Sequence, residues 1–228
     1  MRGLELDLAA GRLARVACTT AADGDFAVDR PGPDLDERRG RVVELPWTWL
    51  HQVHGADVVV VDAPGAGAGT AADAAVTDVV GAALAVQTAD CAPIALVGER
   101  GAIAAVHAGW RGLAAGVVER AVDRLRQLDG GAVRAAVGPC IHPECYEFGA
   151  AELDLLAARY GDRVRATTAD GAPALDLPAA VLAALDGADV EVVAGPGHCT
   201  ACGTPPMFSH RARRDTARQA LVVWMEAR

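Results

Sequence analysis

The stretch from Thr88 to Gly112 constrains the fold more than any other part of the chain. Two apolar runs, Ala92–Val97 and Ala102–Val106, are separated by a short polar turn, which predicts a β-hairpin. Cys91 precedes the first run and His107 follows the second. Because the start of one hairpin strand lies beside the end of the other, we expect this thiol and imidazole at the same end of a sheet. Such a pair forms either a metal site or a nucleophile–base pair.

The rest of the chain alternates between strand-like and helix-like patterns, with no internal repeat and no clear domain boundary. Helical spacing of apolar residues predicts helices over Leu113–Leu128, Gly149–Tyr160 and Leu175–Leu185, with Asp176 as the N-cap of the last. β-Branched and apolar runs predict a buried strand at Val58–Val61 and strands at Val133–Val137 and Val190–Val193. Residues 1–30 suggest one or two weak strands with a turn at 23–25, and residues 63–73 a surface loop.

The charge and cysteine content narrow the class of protein. A formal net charge of −9 argues against a nucleic-acid backbone or an anionic membrane surface as the main partner. No apolar run has the length of a membrane span, and the N-terminus lacks a secretory cleavage pattern, so we expect a soluble, cytoplasmic protein. In that compartment, six cysteines favour thiols, metal ligands or catalytic groups over disulfides.

Two residue sets suggest a site. His54, Cys91 and His107 offer three zinc-type ligands with a free fourth position, although a core thiol with two surface histidines would have the same pattern. Arg111, beside Trp110, could bind a phosphate or carboxylate, or could instead pair structurally with Asp90.

Two further groups of residues are more ambiguous. The segment with Cys140, His142, Glu144, Cys145 and Tyr146 forms either a wall of the active site or a loop whose Cys and Tyr pack inward. Together with Cys199 and Cys202 it imitates the signature of zinc nucleobase deaminases, but His198 stands where that signature has Pro. A zinc knuckle from Cys199 and Cys202 would rest on one CxxC pair, which is a weak signal.

The basic run His210, Arg211, Arg213, Arg214 and Arg218 is either a solvated helix start or the source of one Arg that reaches a substrate anion.

Six motifs in order carry a family resemblance: QVHG at 52–55, ADAAVTD at 72–78, TADCAPI at 88–94, HAGWRGL at 107–113, GPCIHPECYEFG at 138–149 and a late FSHR…ARQA. Over roughly residues 42–228 the chain resembles the multicopper polyphenol oxidase or laccase-domain family. Members of this family are also described as purine nucleoside phosphorylases (the YfiH/FAMIN group) and as peptidoglycan editing factors.

The resemblance implies a fold and a ligand set. The expected fold is α/β, of the α+β type, with one domain over residues 1–228 in which mixed β-sheets are flanked by helices. His54, Cys91 and His107 are the implied metal ligands, with His51 as the competitor of His54. Zinc is favoured over copper, because this sequence lacks the His-rich pairs that a multicopper cluster needs.

The implied activity is phosphorolysis of adenosine, inosine, guanosine and methylthioadenosine, together with deamination of adenosine. Catalytic roles are expected for Asp90, Cys91, Arg111 and Cys145, and substrate binding for Arg111, Tyr146 and Arg218; the expected partners are a small nucleoside and phosphate. Asp90 or Glu144 could move protons, and Trp47, Trp110, Tyr146 and Phe208 are the rings available for stacking. At Cys18–Ala27 the sequence lacks the Arg and paired glycines of the family, so one wall of the substrate site is expected to differ.

Three alternatives to a nucleoside enzyme remain open. The same metal site could serve a hydrolase that edits a UDP-muramoyl peptidoglycan precursor. A polyphenol oxidase is a second alternative, although it would need several copper ions. The metal site could also be a non-catalytic zinc site, which predicts a fourth protein ligand such as Cys145.

Overall fold

The computed structural model describes residues 2–204 and 206–227. The strands are β1 Arg2–Leu8, β2 Arg12–Cys18, β3 Trp47–Trp49, β4 Val58–Val60, β5 Ala74–Thr77, β6 Ala83–Thr88, β7 Ala92–Gly98, β8 Ile103–Ala108, β9 Val133–Val137, β10 Arg165–Thr167, β11 Pro173–Leu175, β12 Glu191–Ala194 and β13 Gln219–Ala227. The α-helices are α1 Leu35–Val42, α2 Trp110–Ala115, α3 Val117–Asp129, α4 Ala150–Tyr160, α5 Leu177–Gly187 and α6 His210–Arg213.

Two large mixed sheets organise these elements. One has the strand order β1-β2-β13-β6-β3 and the other the order β12-β9-β7-β8-β5-β4, while β10 and β11 form a separate antiparallel pair. The sheets pack against each other through aliphatic side chains of β2, β6 and β13 on one side and of β7 and β8 on the other. Helices α3 and α5 cover the other face of the six-stranded sheet, with α4 packed against α2 and α5, and α1 lies over the other face of the five-stranded sheet.

The expected hairpin is confirmed at the centre of the six-stranded sheet. Strands β7 and β8 pair antiparallel, with Ala92 opposite Ala108 and Pro93 opposite His107. Both strands are buried along their whole length, as their continuous apolar runs predict. The predicted N-cap is also present, because the carboxylate of Asp176 accepts a hydrogen bond from the backbone N–H of Ala179 at 2.8 Å.

Two details of the sequence interpretation are wrong and a third is refined. The helix expected over Leu113–Leu128 is two helices, because Gly116 has the left-handed φ of +85° and closes α2 before α3 begins. The run at Val58–Val61 forms a short strand at the sheet edge rather than a buried one, with Val60 36% exposed. The turn expected at residues 23–25 is present as the 3₁₀ turn Ala21–Asp23, which Gly24 closes with a φ of +93°, while an earlier turn at Ala9–Gly11 joins β1 to β2.

The remaining topology follows from long-range pairing. The tail from Gln219 is a nine-residue strand that inserts between β2 and β6 and is buried along most of its length. Within residues 2–204 and 206–227, none of the helices combines the length and the apolar character that crossing a bilayer requires.

Candidate metal centre and substrate cavity

Three potential metal ligands meet at the end of the β7–β8 hairpin. Cys91 immediately precedes β7, His107 lies in β8 and His54 comes from the loop between β3 and β4. Their ligand atoms all lie within 4.8 Å of one another. The Sγ of Cys91 is 3.9 Å from Nε2 of His54, and the rings of His54 and His107 meet edge to face with centroids 4.9 Å apart.

A buried carboxylate that the sequence interpretation missed orients two of these ligands. Asp73 lies just before β5, which pairs with β8, and its Oδ1 is 2.7 Å from Nδ1 of His107. The same carboxylate accepts hydrogen bonds from the backbone N–H groups of Val53, His54 and Gly55 at 2.7–3.1 Å. Asp73 therefore directs Nδ1–H of His107 towards itself and leaves Nε2 to face the other ligands, as a carboxylate behind a metal-bound histidine does.

Two backbone features allow the close approach. His54 has a left-handed φ of +58°, a conformation that non-glycine residues rarely adopt and that is common at functional sites. A Cβ on Gly109 would lie 3.0 Å from Sγ of Cys91 and 3.1 Å from Cδ2 of His54. Gly109 therefore provides the space that the ligand cluster occupies.

The cluster also shifts the acidity of its members. Burial alone would raise the pKa of Cys91, but the charge and hydrogen bond of His107, with a smaller effect of His54, lower this pKa to about 6. Burial likewise disfavours the charged form of His107, but Cys91 and Asp73 raise the pKa of His107 to about 9. Between these values the pair carries a thiolate and an imidazolium, which suits either a base-activated nucleophile or zinc binding.

The donor set fits zinc better than a simple nucleophile–base pair. Two imidazoles and one thiol are ligands that zinc prefers, and a second imidazole beside the thiol has no role in a two-residue nucleophile–base pair. Among the described residues, no fourth His, Cys, Asp or Glu joins this group, and His51 lies outside it. This open arrangement is typical of catalytic rather than structural zinc sites.

The cluster opens onto a cavity of about 510 Å³, a size that suits a small organic ligand. Its walls combine basic, aromatic and neutral polar side chains. They include Leu50, His51, Gln52, His54, Gln87, Thr88, Asp90, Cys91, His107, Trp110, Arg111, Tyr146, His210, Arg211 and Arg218, with Val28 and Asp29. A second cavity, of about 500 Å³, lies elsewhere and is lined mainly by aliphatic residues and glycines, so it lacks this set of reactive groups.

The suggested structural pairing of Arg111 with Asp90 is wrong. Asp90 accepts hydrogen bonds from Oγ1 of Thr200 at 2.7 Å and from the backbone N–H of Arg211 at 2.6 Å. The guanidinium of Arg111 is exposed and lies over the ring of Trp110, 4.5 Å from its centroid. In the part of the chain that the structure describes, no carboxylate lies within ion-pair distance of Arg111, so its charge can act on a ligand.

The other expected binding residues, Tyr146 and Arg218, line the cavity, and the basic run contributes Arg211 in addition. Burial raises the pKa of the Tyr146 hydroxyl, which therefore stays protonated, and Arg211 lies 4.8 Å from the centroid of its ring. The altered segment Cys18–Ala27 lies behind this wall, because Oδ1 of Asp25 accepts the backbone N–H of Arg218 at 2.9 Å.

Several expected site residues lie outside the cavity. Cys145, expected among the catalytic groups, does not line the cavity and groups with Glu144, Cys199 and Cys202 in a separate cluster. Cys140 is fully buried. Of the four rings proposed for stacking, Trp47 instead stacks on Phe26 in the core, and Phe208 does not line the cavity.

Two polar side chains in the cavity wall were also missed. Thr88 is 2% exposed and Gln87 is 6% exposed. Among the described residues, neither the Oγ1 of Thr88 nor the Oε1 of Gln87 has a hydrogen-bond partner. Since buried polar atoms normally have partners, these two atoms are candidates to bind a ligand in the cavity.

Comparison with known proteins identifies the family. Residues 23–226 match the family described as multi-copper polyphenol oxidoreductase laccase. The chain belongs to this family. A purine nucleoside phosphorylase of Mycobacterium tuberculosis is 41% identical over 213 residues, which cover 89% of this chain and 84% of the relative. Another, from Streptomyces coelicolor, is 42% identical over 182 residues, which cover 78% and 74%.

Solved structures agree with the family assignment. A Neisseria meningitidis protein matches with a TM-score of 0.81 and 28% identity, covering 98% of this chain and 99% of its own. YlmD from Geobacillus stearothermophilus matches with a TM-score of 0.74 and 29% identity, covering 96% and 93%. The resemblance and the mixed α/β fold expected from the sequence are thereby confirmed.

Proposed function

We propose that the protein is a zinc-dependent purine nucleoside phosphorylase that also deaminates adenosine. The observation that carries this proposal is the open three-ligand cluster of His54, Cys91 and His107 at the end of a cavity walled by arginines and aromatic rings. The names of the relatives support the phosphorylase part of the proposal.

The residues present fit a zinc ion. Asp73 fixes the tautomer of His107, and Gly109 leaves room for the cluster. Zinc held there by His54, Cys91 and His107 would act as a Lewis acid and lower the pKa of a bound water to about 7.

The cavity wall supplies the groups that phosphorolysis needs. Phosphate must be held against C1′ of the sugar, and the exposed guanidinium of Arg111 can bind it through two parallel hydrogen bonds. Arg218 adds a second positive charge, although its Nη1 also donates to the carbonyl groups of Asp215 and Ala217. Trp110 and Tyr146 offer ring surfaces to the purine base.

Neutral polar atoms and a buried carboxylate also have roles at the proposed substrate site. Thr88 and Gln87 have buried side-chain oxygens that find no partner within residues 2–204 and 206–227, and these oxygens can hydrogen-bond to sugar hydroxyls or to the base. Asp90, whose carboxylate already accepts two hydrogen bonds, acts by holding the segment that carries Arg211 against the cavity. Its left-handed φ of +102° is consistent with a residue whose backbone is fixed by its surroundings.

The test is incubation of purified, metal-analysed protein with adenosine, with and without phosphate, followed by chromatography. We expect phosphate-dependent adenine from phosphorolysis and phosphate-independent inosine from deamination. Cys91→Ala should abolish both products, whereas Cys18→Ala, a thiol outside the ligand cluster and the cavity, should keep them. If zinc-loaded protein does not turn over adenosine, the hypothesis of a purine nucleoside enzyme is rejected in favour of a muramoyl-precursor hydrolase or a non-catalytic zinc site.

A chelator separates the metal centre from a nucleophile–base pair. If zinc is required, metal removal should abolish turnover, and added Zn²⁺ should restore it. Turnover that survives complete metal removal but is lost in Cys91→Ala would assign Cys91 as a nucleophile and would reject the metal part of the proposal.

A further inference from the structure

A second group of ligand-type side chains lies outside the substrate cavity. The 3₁₀ turn at Pro143–Cys145 contributes Glu144 and Cys145, and the loop before α6 contributes Cys199 and Cys202. The carboxylate oxygen and the three sulfur atoms all lie within 4.8 Å of one another. More than fifty residues separate the two segments along the chain, so tertiary structure alone brings these groups together.

The four donor atoms lie close enough together to be drawn around one zinc ion. Tetrahedral zinc with Zn–S bonds of about 2.3 Å places its sulfur ligands roughly 3.8 Å apart. The Sγ of Cys202 already lies 3.6 Å from Oε1 of Glu144. Four donors within 4.8 Å can therefore close around one ion through small side-chain movements.

The backbone around the CxxC pair has the features of a metal-binding turn. The N–H of Gly203 donates to the carbonyl of Cys199 at 2.8 Å, and the N–H of His142 donates to Sγ of Cys199 at 3.4 Å. Hydrogen bonds from the backbone to sulfur stabilise thiolate ligands. Gly203 is required by this turn, because a Cβ there would lie 2.4 Å from the carbonyl oxygen of Cys199.

The charge balance also favours a cation. Three thiols and a carboxylate share this small volume, and each thiolate would disfavour the next one. A divalent cation would reverse this effect, because it binds the deprotonated thiols and neutralises their charge.

We propose that Glu144, Cys145, Cys199 and Cys202 form a second, structural Zn²⁺ site. The group supplies four protein ligands and leaves no position for substrate, which is the arrangement of structural zinc.

The site would connect the loops that form one wall of the substrate cavity. Tyr146, which follows Cys145, lines this cavity. Thr200, between the two CxxC cysteines, donates its hydroxyl to Asp90 at 2.7 Å and its backbone N–H to the carbonyl of Cys140 at 3.0 Å. A zinc ion that joins Cys145 to Cys199 and Cys202 would therefore fix Tyr146 and Asp90 relative to each other without touching the substrate.

Metal counting by mass spectrometry tests the proposal directly. We expect about two zinc ions per chain in the wild type and about one in each of the variants Cys91→Ala and Cys202→Ser. Cys18→Ser, a thiol outside both clusters, should keep about two. If Cys202→Ser holds as much zinc as the wild type, the second site does not exist.

Cobalt substitution and melting in the Cys91→Ala background isolate the second site. Bound Co²⁺ should give strong thiolate charge-transfer absorption in Cys91→Ala, and this absorption should be lost when Cys202→Ser is added. A chelator should lower the melting temperature of Cys91→Ala but not that of the double variant, because only the former would lose a bound ion. Absence of both effects would overturn the proposal even if one variant folds poorly.

A disulfide is the competing fate of these thiols. Titration of unreduced wild-type protein, unfolded in the presence of a chelator, should show all six cysteines as thiols if the cluster holds zinc. Loss of two thiols, with a bridge mapped between any two of Cys145, Cys199 and Cys202, would reject the metal site.

Discussion

The carboxylate of Asp73 offers the sharpest test of how the candidate metal centre is built. Asp73→Asn preserves the size of the side chain but replaces one acceptor oxygen with an NH₂ donor. In the wild type, Oδ1 accepts from His107 and from the backbone N–H of His54, and Oδ2 accepts from the N–H groups of Val53 and Gly55. In either orientation, the NH₂ group of the asparagine, which is a donor, would therefore face two hydrogen-bond donors of the protein.

The expected loss of stability follows from the number of hydrogen bonds to this carboxylate. Each hydrogen bond to the charged carboxylate contributes about 1.5–3 kcal/mol, and the backbone can relax in part, so we expect Asp73→Asn to cost about 3 kcal/mol of stability. For a chain of this length that corresponds to a fall in melting temperature of about 6–12 °C. If the NH₂ faces His107, its ring must change tautomer and lose the Nε2 lone pair as a ligand, so zinc affinity should fall by about 10–100-fold.

Calorimetry of metal-free protein measures the first effect, and competition with a chromophoric chelator measures the second. Asp78→Asn is the matched control, because Asp78 is exposed and immediately follows the same strand. It should change neither quantity. The reasoning would be refuted if Asp73→Asn melted within about 1 °C of the wild type and bound zinc equally well.

Three further changes test separate parts of the structure. Gly109→Ala places a methyl group 3.0 Å from Sγ of Cys91 and should weaken zinc binding by about tenfold or more. The control Gly40→Ala, which has open space around it, should not change the affinity. Equal zinc affinities of the two variants, measured by chelator competition, would contradict this prediction. Asp129→Ala removes the acceptor for the backbone N–H groups of Arg100 and Ala102 at the β7–β8 turn and of Gly131 after α3, and should cost about 2–4 kcal/mol in calorimetry. A loss below about 1 kcal/mol would show that these hydrogen bonds matter little. Thr88→Val removes a hydroxyl that has no partner among the described residues, so it should leave the melting temperature unchanged but raise KM for adenosine; an unaltered KM would exclude Thr88 from substrate binding.

The sequence predicted the part of the site that depends on local pattern. The β7–β8 hairpin follows from two apolar runs and a short turn, and its register brings Cys91 and His107 together. The role of Asp73 could not be read in this way, because it depends on the pairing of β5 with β8 across about thirty residues. A general rule could have found it, since a buried histidine ligand usually needs a carboxylate behind it.

The errors have the same origin. A β-branched run at Val58–Val61 predicts a strand, but only the sheet order determines that this strand lies at an edge. Likewise, Cys145 immediately precedes Tyr146, which lines the cavity, and only the folded chain shows that Cys145 lies with Cys199 and Cys202. Residue type and spacing therefore identify reactive groups better than they identify the partners of those groups.

The distribution of charge at the cavity explains how an acidic protein can offer an anion site. Asp25, Asp73 and Asp90 all lie near the cavity, but their carboxylates accept backbone N–H groups and hold the loops in place. The negative charge of these carboxylates is thus taken up by backbone hydrogen bonds. By contrast, the guanidinium of Arg111 is exposed and that of Arg211 lies over an aromatic ring. A net charge of −9 therefore does not determine the potential that a small ligand meets, because short-range hydrogen bonds decide which charged groups face the cavity.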